Sequence, residues 1–197
     1  MALRSPGRTA LRRRGRGKAA KIVVTGPFAA GKTTLIRTIS EITVLSTEKD
    51  ITDSTRSRKA ETTVAMDFGR ITIDRDLVLY LFGTPGQDRF DFMWEVLGEG
   101  MLGYVLVLDG DRDESAQEAC SILEAFRKMA KVPFVVVVNR CEGLGPDDEQ
   151  RIRDVLALDA DVPLLPVDAT DKASVKDVLL TLLHHILDRL ERVPVGA

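Results

Sequence analysis

Aromatic residues make up only 5% of this chain, and cysteine is nearly absent: Cys120 and Cys141 are its two cysteines among 197 residues. Two cysteines cannot build a disulfide framework, so a reducing, cytoplasmic compartment is the expectation. No apolar run approaches the ~20 residues of a membrane span. The longest, Val132 to Val138, reads as a buried strand. No lipidation is expected from a sequence that opens Met-Ala and closes Pro-Val-Gly-Ala. Membrane attachment would then have to be electrostatic or through a partner. There is no internal repeat. What is present is 44% hydrophobic and 29% charged residues. That suits one ordinary globular domain and excludes a chain too polar to build a core.

The formal charge of -2 hides an asymmetry. Residues 1 to 21 hold eight basic side chains (Arg4, Arg8, Arg12, Arg13, Arg14, Arg16, Lys18, Lys21) and no acid, whereas the remaining 176 hold 20 basic against 30 acidic. Residues 1–20 lack any apolar period and are expected to form a disordered basic arm. Three readings of the arm stay open: a solvated tail, a contact with anionic lipid or nucleic acid, and a transit peptide. Nucleic acid is disfavoured because no aromatic is interleaved with the arginines to stack on bases. A peripheral place on the inner face of the membrane is compatible with the arm.

From Lys21 to about residue 193, strand-like runs alternate with helix-period segments, the pattern of an α/β domain with a mostly parallel sheet. Six strands are expected: Ile22 to Thr25, Val64 to Ile73, Leu77 to Phe82, Tyr104 to Asp109, Pro133 to Asn139 and Pro163 to Val167. Asp74-Arg75-Asp76 is too short for a helical crossover, so the second and third strands must form an antiparallel hairpin. Helices are expected at Lys32 to Glu41, Asp88 to Glu99, Glu114 to Ala130, Pro146 to Leu156 and Ser174 to Leu190. The last carries an apolar stripe of Val175, Val178, Leu179, Leu182, Leu183, Ile186 and Leu190. Thr43 to Thr62 has no regular pattern, and a loop of that length in a compact domain is usually functional.

Gly26-Pro27-Phe28-Ala29-Ala30-Gly31-Lys32-Thr33 fits G-x-x-x-x-G-K-[ST] between a strand and a helix. Gly26 lets the chain turn off the strand, and Gly31 lets backbone N–H groups close around phosphate oxygens at a positive helix end. Lys32 is placed to reach the β and γ phosphates, and the Thr33 hydroxyl to ligate Mg²⁺. Ala29, Ala30 and Thr34 complete the expected phosphate-binding loop.

Further along, Leu81-Phe82-Gly83-Thr84-Pro85-Gly86-Gln87-Asp88-Arg89-Phe90 resembles the second switch of Ras-like small GTPases, and Thr62-Thr63-Val64-Ala65-Met66-Asp67-Phe68 resembles their first. Asn139-Arg140-Cys141-Glu142 and Asp168-Ala169-Thr170 stand where that family reads guanine. The Thr-Pro-Gly-Gln variant is most similar to bacterial MglA-type GTPases associated with roadblock-domain proteins. The resemblance implies the three-layer G-domain fold and a GTP/GDP-binding switch with slow GTP hydrolysis, read by a protein regulator or effector, with a roadblock-domain partner conceivable. A nucleotide-dependent scaffold with little hydrolysis is the alternative. It further implies Thr63 on Mg²⁺ and the γ phosphate, Gly86 offering its N–H to that phosphate, and Gln87 orienting the attacking water. Asn139, Arg140, Glu142, Asp168, Ala169 and Thr170 would surround the base, with the Glu142 carboxylate on the guanine N1–H and amine, and the Ala169 N–H on the guanine carbonyl.

Three departures qualify the resemblance. Gly83 stands where the family has a metal-steadying aspartate, and Asp109, ending an apolar strand, is a candidate replacement. Glu142 is one methylene longer than the family's aspartate. Phe28 adds bulk near the γ phosphate, which favours slow hydrolysis. Arg56 or Arg58 could supply a positive charge in cis, although a charge in a long loop is usually only solvated. Trp94, Phe90 and Phe92 read either as core or as a partner patch. Cys141 reads as a packed small residue, and the adjacent His184 and His185 point about 100° apart and make a poor metal pair.

Overall fold

The computed structural model describes residues 18–46, 66–74, 76–86 and 92–192. Seven strands, β1 (Lys18–Thr25), β2 (Leu45–Ser46), β3 (Asp67–Thr72), β4 (Leu77–Gly83), β5 (Gly103–Asp109), β6 (Phe134–Asn139) and β7 (Leu164–Val167), form one sheet. Its order is β2-β3-β4-β1-β5-β6-β7. The five strands from β4 to β7 are parallel, and β3 pairs antiparallel with both β4 and β2. This is the expected α/β sheet with its hairpin, extended at the edge by the two-residue β2. Asp74 makes the hairpin turn by accepting the N–H groups of Asp76 and Leu77 at 2.7 and 2.8 Å.

Helices α1 (Lys32–Ile39), α2 (Phe92–Gly98), α3 (Ser115–Met129), α4 (Pro146–Leu156) and α5 (Lys172–Arg192) cover both faces. Every residue of β5 and β6 is buried, which is why these strands read as unbroken apolar runs. Alternate residues serve opposite faces: Val105, Val107, Val135 and Val137 join Leu35, Ile36, Val178 and Leu182, while Tyr104, Leu106, Val136 and Val138 join Ile122, Leu123, Phe126 and Ile152.

Two expectations are corrected and one open reading is decided. Lys18, Ala19 and Ala20 belong to the sheet and not to the arm, because β4 begins at Leu77 and its backbone groups need partners that far out; Lys18 pairs with Leu77. Residues 1–17 of the arm lie outside the described residues. Leu190 is 63% exposed and leaves the α5 stripe. Ile186 already packs at Gly103, the first residue of β5, so the next turn overshoots that strand. Trp94 is core, not surface: it is buried beside Phe126, its indole N–H 3.4 Å from the Pro85 carbonyl. The side chains of Phe90 and Phe92 are outside the described set. Among the described residues, no helix is long and apolar enough to cross a membrane.

Candidate functional site

The chain leaves β1 at Gly26 with φ +142°, where a Cβ would strike the Val107 carbonyl oxygen, and enters α1 through Gly31 at φ +105°. Ala29 between them is also left-handed, at φ +61°. Five successive carbonyls of this loop each accept a bond from a side chain. The Lys32 ammonium donates to Gly26 and Pro27 at 2.8 and 2.6 Å. Arg112 reaches Phe28 at 3.4 Å, Arg140 reaches Ala29 at 2.8 Å, and the Asn139 amide reaches Ala30 at 3.0 Å. With its carbonyls held by cations and an amide, the loop has N–H groups to offer to an anion, apart from that of Ala30, which reaches the Pro27 carbonyl at 3.4 Å. The adjoining cavity of about 240 Å³ is lined by Phe28, Lys32, Thr33, Asp67, Gly86 and Arg140, among others. Gly86 presses on this loop so closely that a Cβ there would come within 2.7 Å of both the Lys32 ammonium and the Phe28 nitrogen.

The gap at Gly83 is filled from the neighbouring strand. Asp67 lies opposite Gly83 in the β3–β4 ladder, and the Thr33 hydroxyl donates to its carboxylate. A Cβ on residue 83 would stand 3.0 Å from Asp67 Cβ and 3.2 Å from its Oδ2, so a side chain there would compete for the space that the Asp67 carboxylate holds. Sequence reading placed Asp67 in a motif without giving it a role. The signal available was the hairpin register, which sets residues 67 and 83 symmetrically about the turn. Asp109 does not line this cavity. Its buried carboxylate is ion-paired with Arg140, and it lines a different cavity.

Behind the phosphate cavity, and sharing Thr34 and Arg140 with it, lies a second hollow of about 410 Å³ lined by Asn139, Cys141, Glu142, Val167, Asp168, Ala169 and Thr170. The structure therefore brings the two segments expected to surround a base together beside the phosphate loop. Asn139 ties them: besides donating to Ala30, its Oδ1 accepts the Ala169 N–H at 3.1 Å. The Ala169 donor expected to meet a base carbonyl is thus committed to Asn139. Asp168 accepts both the hydroxyl and the N–H of Thr170, at 2.6 and 2.8 Å, and these bonds hold its carboxyl below the usual carboxylate range. Burial pushes the Cys141 thiol up from its ordinary value. Glu142 is exposed at the rim. Thr63, Gln87, Arg56 and Arg58 lie outside the described residues.

A loop of this construction, at the carboxyl end of β1 and opening a helix, defines a nucleotide-binding protein of the phosphate-loop class. Within that class, residues 24–189 match the family described as "conserved hypothetical ATP binding protein", and the chain belongs to it. It is also 32% identical over 124 residues to the uncharacterized protein MJ1339 of Methanocaldococcus jannaschii, covering 62% of this chain and 70% of that one. Membership of this family overturns the assignment to Ras-like, MglA-type bacterial GTPases. The physical reason is that a G-x-x-x-x-G-K-T loop serves phosphate binding in many nucleotide-binding proteins. The positions that would have marked the Ras-like branch are those where this chain departs, Gly83, Glu142 and Phe28.

Proposed function

We propose that this protein binds a nucleoside triphosphate at the loop from Gly26 to Thr34 and hydrolyses it slowly. The observation that carries the reading is the set of five loop carbonyls held by Lys32, Arg112, Arg140 and Asn139, beside the Thr33–Asp67 pair. On a triphosphate, Lys32 would exchange its carbonyl partners for β and γ oxygens, a charge-assisted bond stronger than the ones it leaves. The Thr33 hydroxyl and the Asp67 carboxylate form an oxygen-only donor pair, which suits Mg²⁺ completed by phosphate oxygens and water. When bound, that ion supplies charge neutralisation at the phosphates. Thr63 remains a proposed further ligand.

Hydrolysis would proceed by attack of water on the γ phosphorus and departure of the diphosphate, with Gln87, next to Gly86, orienting the water. Phe28 is 57% exposed and its backbone meets Gly86, so its ring adds bulk at that entrance and favours slow turnover.

For the base we infer guanine: a carboxylate on Glu142 accepts two adjacent donors, which guanine presents on its N1 and amine and adenine does not. Adenine is the second reading, favoured by the commitment of the Ala169 N–H to Asn139 and in keeping with the family's description. Competition of GTP and ATP against a fluorescent nucleotide separates the two, and equal affinity would defeat the guanine reading. Lys32→Met should weaken triphosphate binding about 10–100-fold, the loss of one or two charge-assisted bonds. Absence of any nucleotide uptake by the unaltered protein at millimolar magnesium would overturn the function itself.

A further inference from the structure

We propose that Asp109 is a positioning residue that braces the phosphate loop through Arg140 and thereby sets how long a nucleotide is retained; this rests on the nucleotide-binding reading above. Asp109 closes β5, and its side chain is 3% exposed. One carboxylate oxygen takes the Arg140 guanidinium, and the other accepts the Asp111 N–H at 3.2 Å. Its own N–H is held at 2.8 Å by the hydroxyl of Ser115, the first residue of α3. The residue is therefore held at its backbone N–H and at one carboxylate oxygen, leaving the other oxygen for the arginine.

Arg140 spends its second amino group on the Ala29 carbonyl at 2.8 Å. Both ends of that bond sit in strained backbone: Ala29 has φ +61° and Arg140 φ +57°, a region that L residues enter at a cost. The Arg140 side chain is itself 42% exposed, so its guanidinium needs a partner to hold it in this position. Asp109 supplies that fixing charge. Arg112, three residues on, adds a second strut from the same segment to the Phe28 carbonyl. Asp109 and Arg112 share a cavity of about 240 Å³ between α3 and α4 that is distinct from the one lined by Thr33 and Asp67. Asp109 thus acts on the loop's backbone through Arg140 and does not itself line the phosphate cavity.

The test is the release rate of a preloaded fluorescent diphosphate from the full chain, chased with unlabelled nucleotide, alongside melting of the nucleotide-free protein. Asp109→Asn keeps the shape and can keep the Ser115 and Asp111 bonds but loses the charge. It should speed release about tenfold, the loss of one charged hydrogen bond, with no matching fall in the nucleotide-free melting temperature. In an Arg140→Gln background the same change should add almost nothing, because the strut is already gone. Release unchanged in Asp109→Asn, or an equal effect of that change in both backgrounds, overturns the brace. If Asp109→Asn does not fold, Arg140→Gln alone decides: faster release supports the brace and unchanged release overturns it. Failure of the unaltered protein to hold any nucleotide is a different result, which removes the nucleotide reading itself.

Discussion

Asp67→Asn isolates the carboxylate that stands across the ladder from Gly83. The change preserves size and an oxygen able to accept the Thr33 hydroxyl, so the hairpin and α1 should stay in place. What disappears is one negative charge beside the phosphate cavity. Two unit charges about 4 Å apart attract by roughly 4 kcal/mol at an effective dielectric constant near 20, and a divalent ion doubles that gross figure. Dehydration of ion and carboxylate cancels most of it. Loss of a supporting carboxylate at a metal site typically weakens metal affinity about 10–100-fold, or roughly 1.4–2.7 kcal/mol. The assay is nucleotide retention as a function of magnesium, from micromolar to millimolar. Asp67→Asn should move the half-saturating magnesium concentration upward by that factor and leave retention at saturating magnesium close to the unaltered protein. Asp109→Asn should instead speed release at every magnesium concentration alike. A magnesium dependence identical to that of the unaltered protein would remove Asp67 from the metal site.

The remaining predictions concern packing and protonation. Gly83→Ala puts a methyl group 2.9 Å from Ile36 Cδ1 and 3.0 Å from Asp67 Cβ. Such overpacking should cost about 1–3 kcal/mol in thermal or denaturant unfolding, and a neutral result would mean that the β3–β4 contact is looser than described. Gly26→Ala forces an L residue to φ +142° against the Val107 carbonyl. It should cost about 1–3 kcal/mol from backbone strain alone, and stability equal to that of Gly26 would refute the close approach. Burial pushes the Cys141 thiol up, so below its raised pKa the group is the neutral, unreactive thiol. Iodoacetamide should therefore label Cys141 slowly at pH 8 and faster as the pH rises past the ordinary thiol value of 9.0; labelling at pH 8 as fast as a free cysteine would contradict that burial.

Much of the architecture was legible because it is local. The all-apolar runs of β5 and β6 announce strands covered on both sides, and Val175, Val178, Leu182 and Ile186 announce the buried face of α5. The loop from Gly26 to Thr33 carries its chemistry in seven consecutive peptide links. Features that depend on distant pairing were not legible. Nothing near Asp67 in the chain says that it faces Gly83, and nothing near Asp109 says that Arg140 will claim it. The first Lys18 pairing exists only because β4 reaches that far. The family assignment failed for a related reason: a phosphate-gripping loop reports the phosphate and little about which nucleotide protein surrounds it.

The layout of the sheet separates two poles of the molecule. The hollows lined by Lys32, Asp67, Asn139 and Glu142 open where the parallel strands finish. β1 starts, and α5 finishes, at the other pole, so the exposed Leu187 and Leu190 share that end with Lys18, the point where the arginine-rich segment joins the sheet. A contact confined to that pole would leave the hollows lined by Lys32 and Glu142 uncovered.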